Sequence, residues 1–236
     1  MIVCISQRPA DAITMKNIDF ARNDEDLYPL LLQAFEAEKA FLAEVLANKF
    51  SSGVTKAERD PLKLTIELHS MGGDSVMNLI RRRGVSYREI VGDVASKVGV
   101  KIDEETPLIK AEELIAEKVI NNYKEKLAAT EREAFEQLLR ENLDDQKMMM
   151  DAKHAAARGI SMVTPALMAV GGFILKRGAV AAIPVAGQFI GVLTGVVSLV
   201  FAFTGTAYSV TVPAVLIVGS IRARLAAESY LAEVDL

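Results

Sequence analysis

Glu67, His69 and Arg88 are the side chains whose types best suit acid–base chemistry: a carboxylate, an imidazole and a guanidinium. Glu67 and His69 stand two positions apart, and residues at that spacing do not face each other on a helix. A reaction at these groups needs a fold that gathers all three into one cleft. Separate faces leave a structural histidine held by a hydrogen bond. Gly72-Gly73-Asp74 has the small residues of a phosphate loop, but no Lys-Ser/Thr follows and no strand precedes it, so a corner between helices is expected. Arg81, Arg82 and Arg83 are the densest cationic cluster. They suit an anionic partner or lipid headgroups, and equally the solvated end of a short helix, where cations oppose the negative terminus. His154 beside Lys153 is a group that can respond to pH. A single cysteine, Cys4, excludes an internal disulfide and any multi-cysteine zinc site, and His69 and His154 share no metal-ligand spacing. No nucleophile–histidine–acid set or carboxylate pair assembles from these spacings. The expectation is a non-enzymatic protein without catalytic residues, metal or cofactor.

The elements that must position these groups read as helices. Leu27, Leu31, Leu42, Val45 and Leu46 recur at helical spacing and predict one helix over about 25–50, with Asn23 or Asp24 as its cap. Asp60-Pro61 opens a second, with Leu64, Leu68 and Met71 on one face and Gly72-Gly73 beyond it. Asp74 suits the start of a short helix that Gly84 ends. Ser86 and Glu89 have capping-box spacing ahead of a helix to about 98, which Gly99 ends. Thr106-Pro107 starts another, to about 127, and Thr130 with Glu133 a further one, to about 150. Residues 1–22 read as an N-terminal extension, with a short strand at Ile2, Val3 and Ile5 as the alternative.

Charge divides the chain. Residues 1–150 carry 21 Lys+Arg against 27 Asp+Glu, whereas residues 151–236 carry 6 against 4. The acidic first part lacks the basic face that nucleic-acid binding requires. Residues 178–221 form a run of 44 without one charged side chain. As one helix that run extends about 66 Å at roughly 1.5 Å per residue, against a bilayer core of about 30 Å. It is therefore expected to double back as a hairpin, with arms near 183–203 and 207–221, a turn at Thr204-Gly205-Thr206, and a short polar, helical ending from Arg222. Lys176 and Arg177 before the run, and Arg222 and Arg224 after it, are candidate membrane-interface anchors. Gly187, Gly191 and Gly195 make a smooth stripe suited to close helix packing. The expected class is all-α: a multi-helix soluble body at 23–150, followed by an apolar, membrane-capable helical hairpin region at 151–236. Met148, Met149 and Met150 stand at that boundary, where ordinary core packing is the expectation and an adaptable contact surface the alternative.

Leu64 to Val100 also resembles the YaaW-type family of uncharacterised bacterial proteins. The resembling parts are Glu67-Leu68-His69, Gly72-Gly73, Asn78-Leu79 and Gly84-Val85-Ser86-Tyr87-Arg88-Glu89-Ile90, together with the later Ala207 to Val215 stretch. The resemblance implies a helical fold. Through a grouping with the ubiquinol–cytochrome c chaperones, it also implies an assembly role at a membrane. It implies no catalytic residue.

Two functional expectations follow. One is a membrane-associated helical protein at the cytoplasmic face of the inner membrane, with a lipid bilayer as partner, assisting membrane-protein assembly or forming a pore. The other is a cytoplasmic, oligomeric protein-binding module that buries the hairpin between subunits or against a protein partner.

Overall fold

The computed structural model describes residues 15–47, 52–71, 84–125, 128–130, 132–133, 136–137 and 208–234. The fold is all-α, with seven helices and no strand among the described residues: α1 (Met15–Arg22), α2 (Tyr28–Leu32), α3 (Glu36–Ala47), α4 (Pro61–Met71), α5 (Tyr87–Val98), α6 (Leu108–Lys124) and α7 (Tyr208–Val234). Arg81, Arg82, Arg83, Lys176, Arg177, Gly187, Gly191 and Gly195 lie outside the described residues, as do Gly72-Gly73-Asp74, His154, Cys4, the three adjacent methionines, and the first arm and turn of the expected hairpin.

Local chemistry sets several helix ends. Asp60 Oδ1 accepts from the Leu62 amide at 2.9 Å, and Pro61 fills the first turn of α4, where a missing N–H costs nothing. Ser86 and Glu89 form the expected capping box on α5: the Glu89 amide donates to Ser86 Oγ at 3.3 Å, and the Ser86 amide donates to Glu89 Oε2 at 3.1 Å. Gly99 ends α5 with φ of +81°, a left-handed conformation open to a residue without Cβ, and the Val100 amide closes back on the Ala95 carbonyl at 2.8 Å. Ser86→Ala removes the side-chain half of that box. It is expected to lower stability by about 1 kcal/mol, measured by urea unfolding, with Ser86→Thr largely restoring it.

One expectation about these elements is corrected. The single helix over 25–50 is two, because the chain turns at residues 33–35 before α3 begins. Glu38 makes that second start possible: its Oε2 accepts from the Phe35 amide at 2.7 Å, capping α3 from within its own first turn. The polar ending from Arg222 is helical, and it continues the second apolar arm without a break, because α7 runs from Tyr208 to Val234. At the other end of the chain, Met15–Arg22 is helical, and α1 packs on α4 with Ala21 fully buried.

The core lies around α7. Every residue from Val210 to Ile221 is buried, so this helix is covered on all sides, as a helix apolar all round must be. It packs against α2, α3, α4, α5 and α6. Those helices supply Leu31, Leu42, Leu46, Leu64, Leu68, Tyr87, Ile90 and Ile115, all fully buried. Each such side chain contributes about 1.5–3 kcal/mol of transfer free energy. α7 answers with Val215, Ile217, Val218 and Ile221 in the same cluster. Within the buried stretch, Ser220 Oγ donates to the Ile217 carbonyl at 2.7 Å.

Candidate functional site

Charged side chains inside this apolar core form the most unusual feature among the described residues. Glu112 lies on α6 among Leu108, Ala111, Ile115 and Ala116, on the face that turns inward, and has no exposed surface. A buried carboxylate needs a partner. Arg222 of α7 supplies it, donating from Nε to Glu112 Oε2 at 2.9 Å. The other carboxylate oxygen accepts from the Tyr87 hydroxyl at 2.8 Å. The Arg222 guanidinium also donates to the Asp26 carbonyl at 2.6 Å and lies 5.9 Å from the Tyr87 ring centre. Burial pushes the Glu112 carboxyl above its ordinary range, with Arg222 acting in the opposite direction. Burial, then the Glu112 charge, pushes the Tyr87 hydroxyl well up, so it remains the donor of the pair.

A second pair stands two residues further along α7. Arg224 grips Glu38 of α3 with two bonds, Nε to Oε1 at 2.9 Å and Nη2 to Oε2 at 2.8 Å. This forked geometry is available to arginine and not to lysine. The same guanidinium stacks on Phe35 at 3.8 Å and reaches Glu228 on its own helix at 2.8 Å. Arg222 and Arg224, expected as anchors at a membrane interface, are in this structure turned into the body and paired there.

The third cluster centres on Asp24, in the loop between α1 and α2. Its Oδ2 lies 2.8 Å from His69 Nε2 and accepts from the Tyr87 amide at 2.9 Å, while Oδ1 accepts from the Asp26 amide at 3.0 Å. Burial works to raise the Asp24 carboxyl, but the bonds from His69 and from the two amides outweigh it and hold the group below its ordinary value. Tyr87 opens α5, so the carboxylate also faces the positive end of a helix. His69 is 2% exposed, its ring packs edge-on against Phe20 at 5.0 Å, and its Nδ1 has no hydrogen-bond partner among the described residues. Gly84 touches it from behind: a Cβ there would come 2.5 Å from His69 Cβ. The Val85 amide donates to the His69 carbonyl at 3.0 Å.

The structure does not gather Glu67, His69 and Arg88 into one cleft. Glu67 accepts from the Gly53 amide at 3.0 Å, and His69 faces Asp24. Arg88 reaches Asp26 at 3.3 Å and the Thr106 carbonyl at 3.4 Å from the surface, with about half of its side chain exposed. His69 is thus the structural histidine of the plainer sequence reading. Among the described residues, no group of three or more His, Cys, Asp or Glu side chains is placed to hold a metal ion. What the network can do is fix α7 in register, through bonds that tie it to the Asp26 loop, α3 and α6 at once.

Sequence reasoning missed Glu38, Glu112 and Tyr87 as members of this network. The signal was present. Glu38 stands three and four positions before Phe41 and Leu42, and Glu112 stands four after Leu108 and three before Ile115. A carboxylate within an apolar stripe implies a buried cation.

No family model matches the chain, and no solved structure does. Among curated proteins, it is 30% identical over 174 residues to the UPF0174 protein YaaW of Escherichia coli K12, covering 68% of this chain and 70% of that one. The chain belongs to the UPF0174 family. Another UPF0174 relative, YaaW of Escherichia coli O157:H7, is 29% identical over the same share of each chain. A UPF0174 protein of Helicobacter pylori is 27% identical over 193 residues, or 71% of this chain and 90% of that one. The family name carries no reaction, and the chaperone grouping implied by the sequence resemblance has no counterpart in the names of these UPF0174 relatives.

Proposed function

We propose that this chain is a non-enzymatic, membrane-associating helical protein. In this reading, the amphipathic body sheathes the apolar C-terminal region, which passes into a bilayer at the cytoplasmic face of the inner membrane. The observation that carries the reading is the uncharged run of 178–221, whose last part is the buried half of α7. Val210–Ser229 is long and apolar enough to cross a membrane. A stretch of 44 residues without a charge needs shelter over its whole length, and lipid provides it for a paired arrangement of helices. Assisting membrane-protein assembly and forming a pore are the two finer versions of this role.

One observation favours the second reading, a helical module that keeps its apolar region covered by protein and by other copies of itself. In α7 most of the membrane-length stretch is buried inside the protein, as the central helix of a water-soluble fold also is. Carbonate extraction of membranes from cells making the full chain separates the two. The membrane reading expects the protein in the carbonate-resistant pellet. Quantitative recovery in the supernatant, as a defined oligomer, overturns it in favour of the second. Leakage of a dye from vesicles on adding the purified chain then selects the pore version over assembly.

A further inference from the structure

The two arginines that end the uncharged run are two positions apart, roughly 200° around a helix of 3.6 residues per turn. They point to nearly opposite sides of α7. The pairs they make follow from that: Arg222 reaches Glu112 on α6, and Arg224 reaches Glu38 on α3. Both carboxylates are buried, at 0% and 1% exposure, so neither has water as an alternative partner. Glu38 is further fixed by the Phe35 amide, and Glu112 by the Tyr87 hydroxyl. α7 is gripped from two sides and cannot leave the body in either direction without stripping a buried carboxylate of its cation.

We propose that Glu38 and Glu112 are an intramolecular lock. They hold in the body the same two arginines that, at a membrane surface, engage the phosphate groups of anionic lipids. The proposal rests on the membrane reading above and supplies its control. Arginine at the end of an apolar helix sits at the headgroup level of a bilayer, and anionic headgroups attract it there. Phosphate accepts the same forked pair of N–H bonds that a carboxylate accepts. Moving α7 from body to bilayer therefore exchanges one pair of anions for another. It also exposes the apolar faces of α3 and α6 that α7 covers, so release is favourable only where an apolar phase receives both. The lock opens at an anionic surface and stays closed in water.

The test uses the full chain and two variants, Glu38→Gln and Arg224→Lys. The first retains a side-chain oxygen for the Phe35 amide but presents no charge to Arg224; the second retains the positive charge but not the fork. Glu58→Gln, which alters a pair with the half-exposed Lys63, is the control. Hydrogen exchange read along the chain is expected to show α7 amides opening about tenfold faster in both variants, with α5 largely unchanged, as for one sub-global unit loosened within a fold. Flotation with phosphatidylglycerol vesicles is expected to carry more of each variant than of the parent chain, with phosphatidylcholine vesicles and free inorganic phosphate giving no such gain. Exchange in α7 that stays at the parent rate in both variants overturns the lock, whether or not the parent binds vesicles. Faster exchange without binding to any vesicle keeps the lock and removes the membrane reading. An equal gain on phosphatidylcholine, or opening by inorganic phosphate alone, overturns the anionic lipid as the competing ligand.

Discussion

Arg222→Ala lowers the stability of the folded chain by about 3–5 kcal/mol at neutral pH, the usual cost of leaving one member of a buried ion pair without the other. Urea unfolding followed by helix content measures it. The substitution strands Glu112, which has no exposed surface, with the Tyr87 hydroxyl as its one remaining donor among the described residues. The cost depends on pH in a definite direction. Burial already raises the Glu112 carboxyl above 4.5 in the fold, and Arg222 restrains that rise. Without the arginine it rises further. A carboxyl raised on folding binds its proton more tightly in the folded state, so its contribution is most favourable below its unfolded value and is lost as pH climbs through the folded one. The penalty is therefore smallest in mild acid and grows toward neutrality. Adding Glu112→Gln to Arg222→Ala removes that slope. A penalty under about 1 kcal/mol, of the size typical of exposed pairs, would show that Arg222 and Glu112 do not form the buried contact described here.

Asp24→Ala is the second large loss, about 3–4 kcal/mol, because one carboxylate satisfies three donors from three parts of the chain and hydrogen bonds to charged groups are the stronger kind. The sign of its pH dependence is opposite. Asp24 sits below 3.8 in the fold, so its contribution is complete above 3.8 and disappears as pH falls through the lower folded value. The parent chain is expected to lose stability on that acid limb, and the alanine variant to have a flatter one. Asp24→Asn, which keeps an oxygen for the amides, is expected to fall between the two. An acid limb identical in all three proteins would remove Asp24 as its cause.

The two networks also separate what was legible in the sequence from what was not. The capping box at Ser86 and Glu89, the Asp60-Pro61 start and the Gly99 stop are interactions within one turn of chain, and local spacing reveals them. The break before α3 was hidden, because Phe35 carries no capping oxygen and the cap comes from Glu38 inside the helix. The inward turn of Arg222 and Arg224 was hidden for a different reason. Their partners lie 110 and 186 positions away, and read alone, a basic residue after an apolar run looks the same whether it meets phosphate or a buried glutamate. Only the misfit of Glu38 and Glu112 within apolar stripes pointed toward such partners.

The bond from Arg222 to the Asp26 carbonyl spans 196 positions of chain. A ribosome adding about 5–20 residues per second needs roughly 10–40 s to make that stretch. From the moment each of α2 to α6 is made until α7 follows, its greasy side lacks the helix that closes it. Nascent chains of this protein are therefore exposed to self-association until α7 emerges, and a transcript cut short before α7 yields a sticky, unfinished shell.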